Sequence, residues 1–455
     1  MNKKENKISK EIKINKKLAR RNYSNQTGIT LIALVVTIVV LLILAGVSLN
    51  AIFSENGIIK RAQDAQNKMN NAQESDLNAL NDLDKWINNQ VNGTTGGNTT
   101  GGNDNPSTTP KISTLVGKVV DKNTKAEDAY GNKITIPKGF KILEHNPTSN
   151  TGAVTYNYTN LEETGEHIPA VQDGIVIEDT QTGTAGNQFV WVPVGTIKNK
   201  NGSTNTITLG RYEFDSSTGA LKSTTPAQVA SVENCTKIVT ISKGGTDYQE
   251  LSTFREGNSA TNSTAQNATA RNLEEFISTT LANGGYYIAR FEASGTASKI
   301  ASKYNQTVLG NITQPNAAKV AREMYGEVKE NNELVYASDL VNSYAWDTAI
   351  VFIQTYSGKT DYASHNESIT TKAFTATGKN NDKYCNIWDM SGNAYEWTTE
   401  YSTSSHNSNF YPCVRRGGYY NTDNGRAHNY TSDRYYDNTT SSNSYSSLRS
   451  LLYVK

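Results

Sequence analysis

The sequence has few residues of the kinds that build disulfide frameworks and metal centres. Only three cysteines and five histidines occur in 455 residues. Cys235, Cys385 and Cys413 have no zinc-type spacing, and there is no H-x-E or H-E-x-x-H pattern. These absences argue against a disulfide-rich domain and against a metal hydrolase. Cys385 and Cys413 would be able to pair only outside the cell, and the sequence leaves that pairing open.

Basic charge is concentrated at the N-terminus. Residues 1–28 carry nine Lys and Arg against two Glu, although the formal net charge of the whole chain is only +1. Without this segment the net charge would be −6. No basic stretch remains to suggest a nucleic-acid partner.

Aliphatic side chains are missing from most of the C-terminal segment. Between Gly417 and Ser447 there is no Leu, Ile, Val, Met or Phe, while Tyr, Ser, Asn, Thr and Asp supply 27 of the last 45 residues. Tyr offers large contact area with few rotors, and the small polar residues offer adaptable hydrogen bonding, as in antibody-like binding loops. The alternative is a disordered, low-complexity tail. The apolar run from Leu448 to Val454 predicts a strand that closes the segment.

One uncharged run is long enough to cross a membrane. Ile29–Leu49 spans 21 residues, and the basic flank lies before it. This arrangement predicts a single-pass membrane protein with a cytoplasmic N-terminus and an extracellular C-terminal domain. A cleaved secretory signal is the alternative.

The start of that run has a recognisable pattern. Thr27-Gly28-Ile29-Thr30-Leu31-Ile32, between the basic leader and the apolar helix, resembles a type IV prepilin N-terminus of Gram-positive bacteria. The resemblance implies that prepilin peptidase cuts after Gly28 and leaves Ile29 as a methylated N-terminus. Many pilins have Glu at the fifth mature position, where this chain has Ala33. Assembly with other pilin subunits on a pilus therefore stays open beside a minor pilin or a simple membrane anchor.

Composition divides the chain into four parts: a basic leader (1–28), a pilin-like transmembrane helix and stalk (29–91), a Gly/Asn/Thr linker (92–110) and a head (111–455). The head is of α+β class. Strands are predicted at Ser113–Val120, Lys133–Pro137, Gly174–Glu178, Gln188–Val194 and Tyr286–Glu292. Helices are predicted at Ala317–Lys329 and Ala337–Tyr356.

Several motifs of the head share a known order. They are Gln188–Pro193, Gly284–Glu292, Ser343–Ala349, Asn386–Trp397, Arg415–Gly418 and Leu448-Arg449. Together they resemble the formylglycine-generating-enzyme-like (sulfatase-modifying-factor-like) form of the C-type lectin fold. Enzymes of that family use two cysteines beyond the Arg-Gly-Gly segment to bind copper. No cysteine follows Gly418, so we expect the fold without that oxidase activity.

The same resemblance implies a structural calcium ion, because the equivalent family segment can hold one. Asp389, Asn393 and Glu396 offer the oxygen ligands that calcium prefers, although such groups are often hydrogen-bonded to backbone instead. Four arginines, Arg415, Arg416, Arg434 and Arg449, are candidates for binding phosphate or carboxylate. We favour the alternative that they stack on aromatic rings or form ion pairs within the fold.

The segment 418–447 departs from the enzymes. It resembles the variable region of diversity-generating retroelement target proteins. In that family a C-type-lectin-like scaffold ends in a segment whose codons are rewritten by mutagenesis. The resemblance predicts a surface-displayed receptor or adhesin that binds an unknown protein or glycan. The alternatives are a formylglycine-generating type of enzyme and a structural minor pilin without a ligand. The predicted ligand-binding residues are Tyr419, Tyr420, Asn421, Asp423, Asn424, Asn429, Asp433, Tyr435, Tyr436, Asp437, Asn438, Ser444 and Tyr445.

Overall fold

The computed structural model describes residues 109–148, 152–157, 167–258, 265–366, 373–420 and 430–455, all within the compact unit Asn105–Lys455. The predicted leader, cleavage site (Gly28 and Ile29), membrane-spanning helix and stalk lie outside the described residues. Within these ranges, no helix has both the length and the apolar character required to span a bilayer. The described part is mostly β-sheet with three α-helices, in agreement with the α+β class expected from the sequence.

The larger sheet has seven strands, and all of its pairs are antiparallel. The last strand of the chain pairs on both of its edges, with Leu452 opposite Tyr287 on one side and opposite Ser338 on the other. The predicted closing strand is therefore confirmed, and it lies inside this sheet. In spatial order the strands are β15 (Glu327–Glu330), β16 (Glu333–Leu340), β25 (Ser450–Val454), β12 (Gly285–Ala289), β5 (Gln188–Pro193), β4 (Val176–Asp179) and β3 (Phe140–Ile142).

A second sheet of six strands is formed mainly by the C-terminal third of the chain. Its strands are β10 (Ile241–Lys243), β11 (Thr246–Gln249), β19 (Tyr395–Ser402), β22 (Cys413–Arg416), β23 (Tyr435–Asp437) and β24 (Ser446–Leu448). The first five pair in that order and antiparallel, whereas β24 pairs with β19 in parallel. This sheet positions the Tyr-rich segment.

Six two-stranded hairpins complete the β-structure of the described residues. They are β1 (Thr124–Glu127) with β2 (Lys133–Ile136), β6 (Gly195–Lys198) with β7 (Thr204–Ile207), β8 (Gly210–Arg211) with β9 (Gln228–Val229), β13 (Ser294–Thr296) with β14 (Lys299–Ala301), β17 (Lys383–Tyr384) with β18 (Ile387–Trp388), and β20 (Ser405–His406) with β21 (Asn409–Phe410).

The helices are α1 (Leu273–Asn283), α2 (Gln314–Glu323) and α3 (Ser343–Tyr356). Each begins after a polar residue whose side chain accepts a hydrogen bond from the first turn: Asn272, Thr313 and Asn342, respectively. Such caps satisfy backbone N–H groups that have no partner within the helix.

Two apolar clusters form the core. The larger one joins the seven-stranded sheet to α1 and α3 through buried rings such as Trp191, Tyr286 and Trp346. The smaller one surrounds Trp397 and Leu448 of the six-stranded sheet and includes residues of α2. Each fully buried large apolar side chain contributes roughly 1.5–3 kcal/mol. Both sheets are therefore anchored by conventional hydrophobic packing.

Three predicted elements are wrong in part. The helix predicted at Ala317–Lys329 ends at Glu323, because the chain turns at Gly326, φ +65°, and continues as β15. Residues 113–120 do not form a strand, because the chain makes a 3-10 turn at Ile112–Thr114 and a left-handed turn at Gly117, φ +73°. The helix predicted from Ala337 begins only at Ser343, where the Asn342 cap allows it to start, and the residues before it belong to β16. Strands β2, β4, β5 and β12 lie where the sequence predicts them, within two or three residues.

Cys385 and Cys413, whose pairing the sequence left open, are both free thiols. Burial raises the pKa of each thiol, so neither is activated as a thiolate at neutral pH.

Stability is expected to fall as the pH rises from about 4.5 to 7, partly through Glu250. Its buried carboxylate accepts hydrogen bonds from Ser343 at the start of α3 and from Thr399 of β19. Burial raises its pKa from 4.5 to about 7 despite these bonds. The folded state therefore binds the proton more tightly than the unfolded state, and stability is highest below the unfolded pKa.

The variant Glu250→Gln tests whether Glu250 causes part of this pH-dependent loss of stability. Urea denaturation at pH 5 and pH 8 is expected to show a smaller loss of stability for the variant, by on the order of 3 kcal/mol for a shift of this size. Glu396, whose pKa is also raised to about 7, accounts for part of the loss that remains. An identical loss in both proteins would contradict the assignment to Glu250.

Candidate functional site

A double-glycine turn begins the Tyr-rich segment. Strand β22 ends at Arg416, and Gly417 and Gly418 both have left-handed backbone, with φ of +89° and +79°. A Cβ atom on Gly417 would lie 2.7 Å from the carbonyl oxygen of Met390. The Tyr420 N–H then donates to the carbonyl oxygen of Asn393 at 3.0 Å. These contacts fix where the first two tyrosines of the segment stand.

Seven tyrosine rings and one phenylalanine ring, from six parts of the chain, form one continuous row. Neighbouring ring centroids along it are 4.7–6.3 Å apart, which is within the range of favourable aromatic pairs. We call this row the tyrosine band. It consists of Phe374, Tyr420, Tyr419, Tyr445, Tyr395, Tyr435, Tyr436 and Tyr411.

The side chain of Arg415 lies at the centre of the tyrosine band. Its guanidinium carbon is 4.6 Å from the ring centroid of Tyr395, 4.8 Å from that of Tyr435 and 5.1 Å from that of Tyr445. The charge is paired with Asp437 at 3.1 Å. Buried cation–π contacts are worth about 2 kcal/mol or more. Arg415 therefore orders the rings. This agrees with the alternative favoured from the sequence, in which these arginines stack on aromatic rings or form ion pairs within the fold.

The loop after β23 has a fixed shape. The carboxylate of Asp437 accepts hydrogen bonds from the Asn438 N–H, the Ser441 hydroxyl and the Asn443 side chain. A Cβ atom on Gly310 would lie 2.7 Å from the carbonyl oxygen of Ser444, so another loop supports this one from behind. The loop, residues 437–445, presents exposed hydroxyl groups beside the tyrosine band.

A buried cluster of charges lies beneath the site. Asp347 of α3 contacts Arg416 and Arg434, at 2.6 Å in each case. Glu400 of β19 contacts Arg434 at 2.9 Å, Arg211 at 2.7 Å and Arg416 at 3.3 Å. All five side chains are at most 5% exposed. The cluster thus joins α3, β8, β19, β22 and the chain just before β23.

These contacts control the charge state of the cluster. Burial alone would raise the pKa of Glu400, but Arg434, Arg211 and Arg416 together lower it to about 2. Glu400 therefore stays ionised throughout the physiological range. The arginines are paired within the fold, which agrees with the alternative favoured from the sequence, and Arg449 is likewise paired with Glu396 at 2.6 Å.

The structure brings together most of the predicted ligand-binding residues that it describes. Tyr419, Tyr420, Tyr435, Tyr436 and Tyr445 are members of the tyrosine band, and Asp437, Asn438 and Ser444 belong to the adjacent loop. Tyr436 is 36% exposed. The remaining predicted residues, Asn421, Asp423, Asn424 and Asn429, lie outside the described residues.

The prediction that Asp433 contacts ligand is wrong. Its side chain is fully buried and forms an ion pair with Lys243 of β10. Its carbonyl oxygen also accepts a hydrogen bond from Nε of Arg416 at 2.6 Å. Thr431, Ser432 and Arg434 are buried as well. This stretch of the segment supports the tyrosine band and is not part of the surface that the band presents.

The sequence analysis assigned no site role to three members of the tyrosine band: Phe374, Tyr395 and Tyr411. The predicted ligand contacts lie between Tyr419 and Tyr445, whereas the band continues onto neighbouring elements. A signal did exist for Tyr395, because Tyr395 and Trp397 are aromatic residues at alternate positions of β19.

The side chains predicted to bind calcium are committed to other partners, so the predicted site is not formed. Both oxygens of Glu396 accept from Arg449, and Asp389 accepts from the Gly378 N–H and from Asn380. The side-chain oxygen of Asn393 accepts from the Thr375 N–H. No group of three His, Cys, Asp or Glu suited to a metal ion occurs among the described residues. At Glu396, the guanidinium group of Arg449 pairs with the carboxylate that a calcium ion would need as a ligand.

Comparisons with known proteins give little. No protein-family profile matches the sequence, and no curated protein matches it. Among solved structures, the chain is similar to the U1, I1 and P3c variants of the Major Tropism Determinant. Sequence identity is 13%, 12% and 12%, and the TM-scores are 0.24, 0.23 and 0.24. Each match covers 76% of this chain and 98–99% of the other. A likeness this slight supports no inference about function.

Proposed function

We propose that this chain is a ligand-binding protein whose tyrosine band and adjacent loop 437–445 contact a protein or glycan partner. One observation carries the proposal: eight aromatic rings form a continuous row over a buried cluster of ion pairs. If the only role of these partly exposed rings were to cover a core, they would not need a buried ion cluster to support them.

The chemistry of the band suits recognition. Tyrosine loses little side-chain entropy on binding, because it has few rotors, and its hydroxyl adds hydrogen-bonding capacity. The rings are already packed on each other and on Arg415, so the entropic cost of ordering them upon binding is reduced. Arg415, at the centre of the band, is paired with Asp437, and affinity would therefore come from contact area and hydrogen bonds.

We further propose that the scaffold is a C-type-lectin-like head and that residues 418–447 include a diversified segment. Two features support this proposal. One is the order of the motifs in the sequence, and the other is the division of the segment into partly exposed and buried residues. Its half-exposed side chains are those of Tyr, Asn, Ser and Asp, whereas residues 431–434 are buried in the framework. Binding, and not catalysis, is the activity proposed, since desolvation raises the pKa of the thiols of Cys385 and Cys413 and keeps both protonated at neutral pH.

The N-terminus supports a proposal about display. The prepilin-like sequence around Gly28 and Ile29 would be processed by prepilin peptidase and would anchor the chain in the cell membrane with its head outside. Other pilin subunits would be partners if the chain joins a pilus. Many copies on one cell or filament would raise avidity by about 100-fold or more.

The proposal is tested by removing three rings. The chain is applied to an array of surface proteins and glycans, and the dissociation constant of the strongest binder is measured for the wild type and for the combined variant Tyr420→Ala, Tyr435→Ala, Tyr436→Ala. We expect at least about a 30-fold loss of affinity, because binding hot spots are worth about 2 kcal/mol or more each.

A matched variant controls for loss of tyrosine as such. Tyr130 and Tyr304 are half-buried tyrosines outside the band, and their joint replacement by Ala is expected to leave affinity within about twofold. Circular dichroism checks that each variant is folded. Unchanged affinity of a folded triple variant would refute the band as the binding surface.

A further inference from the structure

A cavity of about 290 Å³ lies beside the chain segment that supports the tyrosine band. One wall comes from residues 213–222, and the other comes from β10 and residues 430–434. The lining residues are Glu213, Phe214, Asp215, Ser216, Lys222, Ile241, Ser242, Lys243, Tyr430, Ser432 and Arg434. No residue of the tyrosine band is among them.

The second wall carries two cations with unused donors. Arg434 is 5% exposed, and its Nε and Nη2 donate to Glu400 and Asp347. Its Nη1 has no hydrogen-bond partner among the described residues. The ammonium group of Lys243 donates to the Tyr430 hydroxyl at 2.7 Å and to Asp433, which uses two of its three donors. Both groups line the cavity, where an oxyanion would satisfy them.

The first wall offers acceptors. The Asp215 carboxylate is ionised, because hydrogen bonds from Ser217 and Thr218 lower its pKa, and these bonds all go to Oδ1. Glu213 is 3.5 Å from Lys222 across the rim. Carboxylates of this kind accept hydrogen bonds from the hydroxyl groups of a ligand. The buried side chains of Phe214 and Ile241 add an apolar surface between the polar groups.

We propose that this cavity binds a carboxylate-bearing monosaccharide unit, with the carboxylate directed to Arg434 and Lys243 and the hydroxyl groups directed to Glu213 and Asp215. The volume is at the small end of the roughly 300–1,000 Å³ typical of small-molecule sites, which fits one sugar unit. The mixed lining disfavours a polyanion, because a second negative charge would meet the acidic wall. The site is additional to the proposed function of the tyrosine band.

The experiment measures direct binding of D-glucuronate to the full chain by titration calorimetry and saturation-transfer NMR. D-glucose, acetate and inorganic phosphate are tested alongside it, since each supplies only part of the ligand chemistry. We expect glucuronate to bind at least tenfold more tightly than any of the three. The triple tyrosine variant is expected to bind glucuronate as the wild type does, which separates this site from the band.

A rim variant locates the binding. Ser216 is exposed at the cavity and Ser298 is exposed on the β13–β14 hairpin. Ser216→Trp is expected to abolish glucuronate binding by filling the cavity, whereas Ser298→Trp is expected to leave it unchanged. The proposal is overturned if glucuronate does not bind, if acetate or phosphate binds equally well, if glucose binds equally well, or if Ser216→Trp has no effect.

Discussion

Replacing Asp347 with Ala is expected to destabilise the protein by about 3–5 kcal/mol, because the change leaves Arg416 and Arg434 with uncompensated charge in the core. Asp347 is fully buried and contacts both guanidinium groups at 2.6 Å. The free energy of unfolding from urea denaturation, at neutral pH, measures the effect. The same variant is expected to weaken ligand binding, since Arg434 holds the chain just before β23.

The matched control is Asp361→Ala. Asp361 is exposed and pairs with Lys359 at 3.0 Å, and exposed pairs are worth about 0–1 kcal/mol. If the two variants lost similar stability, the buried cluster would not be the support that the tyrosine band requires.

The second large effect is expected from Gly417→Ala. A left-handed backbone costs a residue with a Cβ about 1–2 kcal/mol, and here the Cβ would also approach the Met390 carbonyl oxygen to 2.7 Å. Overpacking of this kind costs about 1–3 kcal/mol. We expect a total loss of about 3 kcal/mol in urea denaturation, together with lower affinity, because Tyr419 and Tyr420 follow directly.

Gly358→Ala separates the two contributions. Gly358 has a similar φ of +77°, but nothing lies within 4 Å of the position its Cβ would occupy. That variant is expected to lose only the conformational part, about 1–2 kcal/mol. Equal losses at both positions would show that the contact with Met390 relaxes freely.

Local patterns predicted those parts of the fold that depend on local signals. Gln188–Pro193 and Leu448–Val454 are short β-rich runs; the first is β5, and the second supplies β25 of the same seven-stranded sheet from Ser450 onward. The long absence of aliphatic residues after Gly417 also pointed to the right segment, whose tyrosines do gather on one surface.

The rest depends on contacts between distant residues. Asp433 looks like its polar neighbours in the sequence, and only its pairing with Lys243, 190 residues away, shows that it is buried. The oxygen atoms expected to bind calcium are occupied for a related reason, since Arg449, which lies between β24 and β25, pairs with Glu396 of β19. Composition identifies a segment rich in polar side chains, but it does not show which of them are satisfied inside the fold.

The position of β25 between β12 and β16 has a consequence for biosynthesis. Both neighbouring strands are synthesised well before Ser450–Val454, because β12 ends at Ala289 and β16 ends at Leu340. Until it arrives, two strand edges have no partner, and exposed edges invite association with other chains. A nascent chain that still lacks β25 is therefore prone to associate with other chains through these two edges.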